Sequence, residues 1–175
     1  MNNYQNILIV MGTGRNIGKT VTACNLIQNL SKKHRTVGVK ISPHFHELEP
    51  NLKYLRQSEE IVVVEEQHIT EKDSSQMLQA GAKKVFYVQV KNEKLADAFD
   101  LILKSVDLEQ PIVVESGGLY EIIEPGLLFF ITGEKPKKEI KIRKGTNVVK
   151  MNSGEVRNFE WNSIQFKNGN FMRYA

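Results

Sequence analysis

The 175 residues are 41 % hydrophobic and 25 % charged, with 12 glycines, 5 prolines and one cysteine. These proportions exclude a disordered chain, a collagen-like repeat and a disulfide scaffold, and the length fits one compact domain. A net charge of +4 suits an anionic small molecule such as a nucleotide, and by itself is too small to argue for nucleic acid as a partner. No apolar run approaches the roughly 18 residues of a membrane span. Met1 to Asn6 lacks the charged-then-apolar order of a secretory leader, so a cytoplasmic protein with no membrane partner is expected.

Strand and helix patterns alternate through the core, residues 1–134. Asn6 to Met11 is a continuous apolar run, as expected of a strand covered on both faces. Lys19 to Lys33 follows as a helix with Ala23, Leu26, Ile27 and Leu30 at helical spacing. Thr36 to Ile41 reads as a second strand, Glu47 to Gln57 as a short helix, and Ile61 to Glu65 as a third strand. Ser74 to Ala80 reads as a helix ended by Gly81. Val85 to Val90 is a fourth strand, Glu93 to Val106 a helix, Pro111 to Glu115 a fifth strand and Leu127 to Ile131 a sixth. This alternation predicts an α/β fold with a mostly parallel sheet and helices on both faces. Ligands of such sheets lie outside the carboxyl ends of the strands, here Met11, Ile41, Glu115 and Ile131.

Residues 135–175 read as a basic β appendage of the same domain. Glu139-Ile140-Lys141-Ile142-Arg143 alternates like a charged edge strand. Asn152-Ser153-Gly154 and Asn168-Gly169 are turn signals that predict a small C-terminal antiparallel β segment.

The chemistry concentrates in Gly12-Thr13-Gly14-Arg15-Asn16-Ile17-Gly18-Lys19-Thr20-Val21, between the first strand and the first helix. A strand, a glycine-rich turn and Gly-Lys-Thr opening a helix is the P-loop arrangement, which makes the fold P-loop NTPase-type. Successive backbone N–H groups make an anion-binding nest, and the positive end of the helix dipole adds to it. Lys19 reaches the β- and γ-phosphates in this reading, and the Thr20 hydroxyl ligates Mg²⁺. The usual spacing puts the first glycine at position 13, where Thr13 stands; Gly12 lies one residue further out. Glu115, at the end of an apolar strand before Ser116-Gly117-Gly118, has the place of a Walker B carboxylate able to hold Mg²⁺. Lys40, ending the second strand, could stabilise charge on a transferred phosphoryl group. Asp73 can cap its helix, with Gln76 completing a capping box, or ligate the metal. His44 and His46 would face one way in an extended loop, as metal or phosphate contacts require. Cys24 reads as a core residue.

Gly12-Thr13, four residues, then Gly18-Lys19-Thr20 resembles dethiobiotin synthetases. Asn16-Ile17-Gly18-Lys19-Thr20 resembles the Asn-Ser-Gly-Lys-Thr of the molybdopterin-guanine dinucleotide biosynthesis protein B family, as does Lys72-Asp73-Ser74 followed by Ala80-Gly81-Ala82. Dimeric ATPases of the same broad class carry a second loop lysine where this chain has Gly14. The resemblance implies Mg²⁺ held with the help of Asp73, a lysine near position 40, a homodimer, and GTP or ATP as nucleotide. By this likeness the protein acts in cofactor biosynthesis beside a partner transferase, as a slow NTPase. The alternatives are an ATP-dependent dethiobiotin synthetase-like enzyme activating a carboxyl-type small-molecule substrate, and a non-catalytic nucleotide-dependent switch.

Overall fold

A computed structural model describes residues 2–49, 52–69, 73–134 and 140–174, with the side chain of Asp73 outside that description. The strands are β1 (Asn2–Gly12), β2 (Val37–Ser42), β3 (Lys53–Gln57), β4 (Ile61–Glu65), β5 (Lys84–Val90), β6 (Ile112–Glu115), β7 (Ile123–Thr132), β8 (Val148–Asn152), β9 (Ile164–Lys167) and β10 (Asn170–Arg173). The helices are α1 (Lys19–Leu30), α2 (Asp73–Gln79) and α3 (Leu95–Leu103). Eight strands form one sheet in the order β3-β4-β5-β2-β6-β1-β7-β8, and β9 and β10 make a separate antiparallel pair. Pairing is parallel from β5 through to β8, while β4 runs antiparallel to both β3 and β5.

The unbroken apolar run of β1 follows from its central place. Ile7, Ile9 and Met11 face the layer that holds Leu95, Phe99 and Ile102 of α3. Leu8 and Val10 face Ala23, Leu26 and Ile27 of α1 and Met77 of α2. Both sets are buried, so each residue of the run loses its water-exposed surface. The chain leaves β1 through α1 towards β2, whereas β6 returns across β1 to β7, so the connections diverge at β1. The crevice beyond its carboxyl end is where such sheets take ligands.

Register sets what meets there. Val10 lies opposite Glu115, and Lys40 lies opposite the same Glu115 from the other side of β6. Register partners on parallel strands project to the same face, which brings Lys40 and Glu115 together at one sheet edge. Gly12 pairs with Ile131 of β7. A Cβ at position 12 would strike the Ile131 carbonyl oxygen, so only glycine lets β1 end this close to β7.

Three sequence expectations are corrected. Residues 53–57 are a strand, not the end of a helix: Ser58 closes a hairpin, with its amide donating to the Ile61 carbonyl at 2.9 Å and its hydroxyl accepting from the Ile61 amide at 3.1 Å. Cross-strand pairing with Val62 to Glu65 decides the conformation there over local helical spacing. The C-terminal segment is not one antiparallel meander. β8 joins β7 as a parallel edge strand, and only the Asn168-Gly169 turn, both residues at positive φ, closes the antiparallel pair. Ile140 to Arg143 form no edge strand, and Glu139 lies outside the described residues. Ile140 and Ile142 pack on the α3 face, and Arg143 lies 3.7 Å over the Tyr120 ring while bonding Glu124 at 2.8 Å. The helices are also shorter than expected at their carboxyl ends, α1 stopping at Leu30 and α3 at Leu103. As expected, α2 closes at Gly81, where the Gly81 and Ala82 amides donate to Leu78 and Met77 carbonyls. Among the described residues no helix is long and apolar enough to cross a membrane.

The C-terminal segment is held by aromatic packing. Phe129, fully buried on β7, stacks at 6.2 Å on Trp161 and meets Phe159 edge-on at 5.5 Å. Phe129→Ala should lower unfolding free energy by about 3–5 kcal/mol. Urea titration followed by fluorescence of Trp161, the sole tryptophan, measures it.

Candidate functional site

Residues 13–18 leave β1 as a loop and re-enter regular structure at Lys19. Two left-handed residues make the turn: Asn16 at φ 56° and Gly18 at φ 93°. Gly18 is the position before the first helical residue, where a side chain would be strained by backbone conformation and would press on Val156 at 3.2 Å. Between them Ile17 turns inward, only 9 % exposed. Its side chain fills the space beneath the loop, against the places where Gly12, Gly14 and Gly133 carry no Cβ. Ile17 therefore anchors the loop and presents only backbone to the cleft. Thr13 is also an anchor: its amide donates to the Ile131 carbonyl at 3.1 Å, and its hydroxyl accepts from the Gly133 amide at 3.0 Å.

With those anchors in place, the amides of residues 14–18 have no hydrogen-bond partner among the described residues. They border an open cleft of about 1160 Å³ lined by Gly12, Gly14, Lys19, Thr20, Lys40 and Glu115, among others. Arg15 and Asn16 stand exposed on its rim, and Val21, 52 % exposed, lines it from the first turn of α1. Unpaired amides at a helix start, in a turn that exposes them together, are donors waiting for an anion.

Two contacts involve the loop lysine and the strand-end acid. The Lys19 ammonium folds back and donates to the Gly14 carbonyl of its own loop. Thr20, Glu115 and Lys40 form the second. The Thr20 hydroxyl donates to Glu115 Oε2 at 2.9 Å, and Lys40 Nζ lies 3.3 Å from that same oxygen and 3.3 Å from Thr20 Oγ1. Glu115 is only 7 % exposed, so its charge depends on these partners. Ser116 turns the chain after it, its hydroxyl accepting from the Gly118 and Leu119 amides.

Burial pushes the Lys19 ammonium below its ordinary value of 10.5; Glu115 opposes the shift, and Lys40 and Arg15 add to it. The loop thus holds a cation that its own surroundings penalise, and the remedy for such a site is a bound anion.

Sequence reasoning placed Gly12 to Val21, Lys40 and Glu115 in one site, and the structure brings all of them to one cleft except Ile17, whose side chain is buried in the core beneath the loop. Asp73 opens α2, and its side chain lies outside the described residues. Gln76 of the same helix lines the cleft. The two histidines do not face one way. His44 Nε2 accepts from the Arg15 guanidinium at 3.1 Å, which ties it to the loop. His46 turns to β5, where its ring meets the Tyr87 hydroxyl at 2.9 Å and its amide donates to Gln89 at 2.8 Å. Neighbouring residues of β5 and the loop, not the alternation of an extended strand, set their directions. Among the described residues no group of three or more His, Cys, Asp and Glu could hold a metal ion. Cys24 is half-buried and packs on the α1 face of the core. Val156 and Gly133, which shape the loop from below, carried no sequence signal; the contact of Val156 with Gly18 crosses most of the chain.

No protein-family model matches this chain, and no curated protein or solved structure is significantly similar to it.

Because Lys19 is penalised in the ligand-free fold, its positive charge costs stability at neutral pH. As pH rises through the lowered value towards 10.5, the folded state sheds that proton before the unfolded state does, and stability rises. Lys19→Met should therefore melt at higher temperature than wild type at pH 7, with the gap closing towards pH 10, as read by calorimetry across a pH series.

Proposed function

We propose that this chain binds a purine nucleoside triphosphate, ATP or GTP, together with Mg²⁺, and hydrolyses it slowly. The observation that carries the reading is the bond between Thr20 Oγ1 and Glu115 Oε2. It joins the residue after the loop lysine to the carboxylate that ends β6, as a P-loop and its strand-end acid meet.

The donor set fits the cation. A hydroxyl and a carboxylate are hard oxygen ligands, the kind Mg²⁺ takes, with its remaining positions left for water and phosphate. Mg²⁺ in such a site neutralises charge on the β- and γ-phosphate oxygens. Every other contribution comes from the chain. The unpaired amides of residues 14–18 would hold the bridging oxygens. Lys19 would exchange the Gly14 carbonyl for phosphate, a trade of a neutral acceptor for a charged one. Arg15 and Lys40, which both line the cleft, add positive charge. The resemblance to the molybdopterin-guanine dinucleotide protein B family supplies cofactor biosynthesis as the setting, and the resemblance to dethiobiotin synthetases supplies Asp73 as a third metal ligand beside Thr20 and Glu115.

Slow turnover follows from the carboxylates. Among the described residues lining the cleft Glu115 is the sole carboxylate, and Thr20 and Lys40 already engage it. A base occupied in this way activates water poorly. One feature favours a second reading, transfer of the phosphoryl group to a small molecule. A hollow of about 250 Å³ shares Ile41, Pro43, Ser116 and Gly117 with the cleft and extends it along Val90, Leu95 and Ile122. An acceptor there would lie beside Ser116 and Gly117, which border both hollows.

Titration calorimetry with ATP and with GTP in Mg²⁺ tests the binding. Lys19→Ala should weaken the triphosphate by about 100-fold, equivalent to about 2.7 kcal/mol. Unchanged affinity in that variant would falsify the site. Glu115→Gln should leave metal-free affinity within about threefold of wild type and remove most of the gain that Mg²⁺ brings. Nucleoside diphosphate release that rises only with an added carboxylic acid would favour the transfer reading over slow hydrolysis.

A further inference from the structure

Lys40 lies on the two oxygens that the reading above gives to the metal. Its Nζ is 3.3 Å from Thr20 Oγ1 and 3.3 Å from Glu115 Oε2, and those oxygens are 2.9 Å apart. The arrangement is fixed by the sheet, since Lys40 and Glu115 are register partners on adjacent strands. Both side chains are largely withdrawn from water, at 16 % and 9 % exposure. An ammonium here supplies the positive charge that a buried carboxylate requires. It also repels a second cation at the same oxygens, with little solvent screening between them.

We propose that Lys40 is a tethered cation that keeps free divalent metal off Thr20 and Glu115 and admits it only as a metal–triphosphate complex. The proposal rests on the nucleotide reading and adds an order to it. A free metal ion must displace the ammonium from both oxygens and brings no anion of its own to take it. A metal–triphosphate brings its own oxygens into the cleft, and the flexible four-carbon stem of Lys40 lets the ammonium move from Glu115 to phosphate. Metal and triphosphate then raise each other's affinity by the same factor. Lys40 is in this sense a positioning residue for the metal, separate from any charge it places on a reacting phosphoryl group.

Mn²⁺ binding followed by electron paramagnetic resonance tests this on the full chain without nucleotide. Lys40→Met should bind Mn²⁺ at least about tenfold more tightly than wild type, and Lys40→Arg should bind like wild type. Lys40→Gln, which keeps a polar side chain beside Glu115, should behave like Lys40→Met and serves if that variant does not fold. Adding Glu115→Gln to the neutral variant should abolish the gain. With ATP present, the neutral variants should lose at least about tenfold of the factor by which nucleotide tightens Mn²⁺. Equal nucleotide-free Mn²⁺ affinity in wild type and the neutral variants overturns the proposal, and so does a gain that survives Glu115→Gln. Failure of the nucleotide reading shows separately, as absence of ATP and GTP heat with wild type, because the Mn²⁺ comparison contains no nucleotide.

Discussion

A carboxylate withdrawn from water at the end of a central strand must be met by charge or by hydrogen-bond donors, and this constraint organises the molecule around Glu115. Leaving it unpartnered would cost several kcal/mol. Its partners come from different parts of the chain: the Thr20 hydroxyl from α1 and the Lys40 ammonium from β2. The parallel register of β1, β6 and β2 delivers both to the same edge. The loop is thereby tied at its helical end to β6, while Thr13 ties its other end to β7. Between these two fastenings the backbone amides face open space.

The same economy explains why anchors and donors alternate along ten residues. Thr13 and Ile17 are directed into the protein, and Arg15 and Asn16 are directed outward. Glycines stand where the anchors need room, at Gly12 and Gly133 against Ile17. A motif read for its phosphate contacts is thus half composed of residues that hold it down. Burial is the chief reason that Lys19 feels its surroundings as unfavourable; Glu115 opposes the effect, and the positive charge of Lys40 and Arg15 adds to it.

How much could be read beforehand depended on whether the cause was local. Gly12 to Thr20 announces itself because positive φ, close backbone approach and a helix start each demand particular residues in sequence. The strands of the parallel sheet were legible because burial on both faces leaves long apolar runs such as Ile7 to Met11. Helix α2 was legible through its closing glycine. The failures are pairings between distant segments. Tyr54 and Leu55 have helical spacing with their neighbours, and only the partner strand β4 makes them extended. β8 looks like half of a hairpin until β7 offers it a parallel edge. Ile140 and Ile142 alternate like a strand, yet their pocket on the α3 face and the grip of Glu124 and Tyr120 on Arg143 hold them in irregular backbone. The same holds in the cleft: Lys40 beside Glu115 is a matter of strand order, which no spacing in the sequence states.

The contact of Val156 with Gly18 has an architectural consequence. The floor under the loop is furnished by a short turn that follows β8, and that turn is kept in place by Phe159, Trp161 and Phe129. The late strands are therefore scaffolding for the earliest motif. A fragment trimmed after β7 would retain every residue that touches the cleft and still lack the support beneath Gly18, so modular dissection of this chain into a nucleotide core and a dispensable tail has no physical basis.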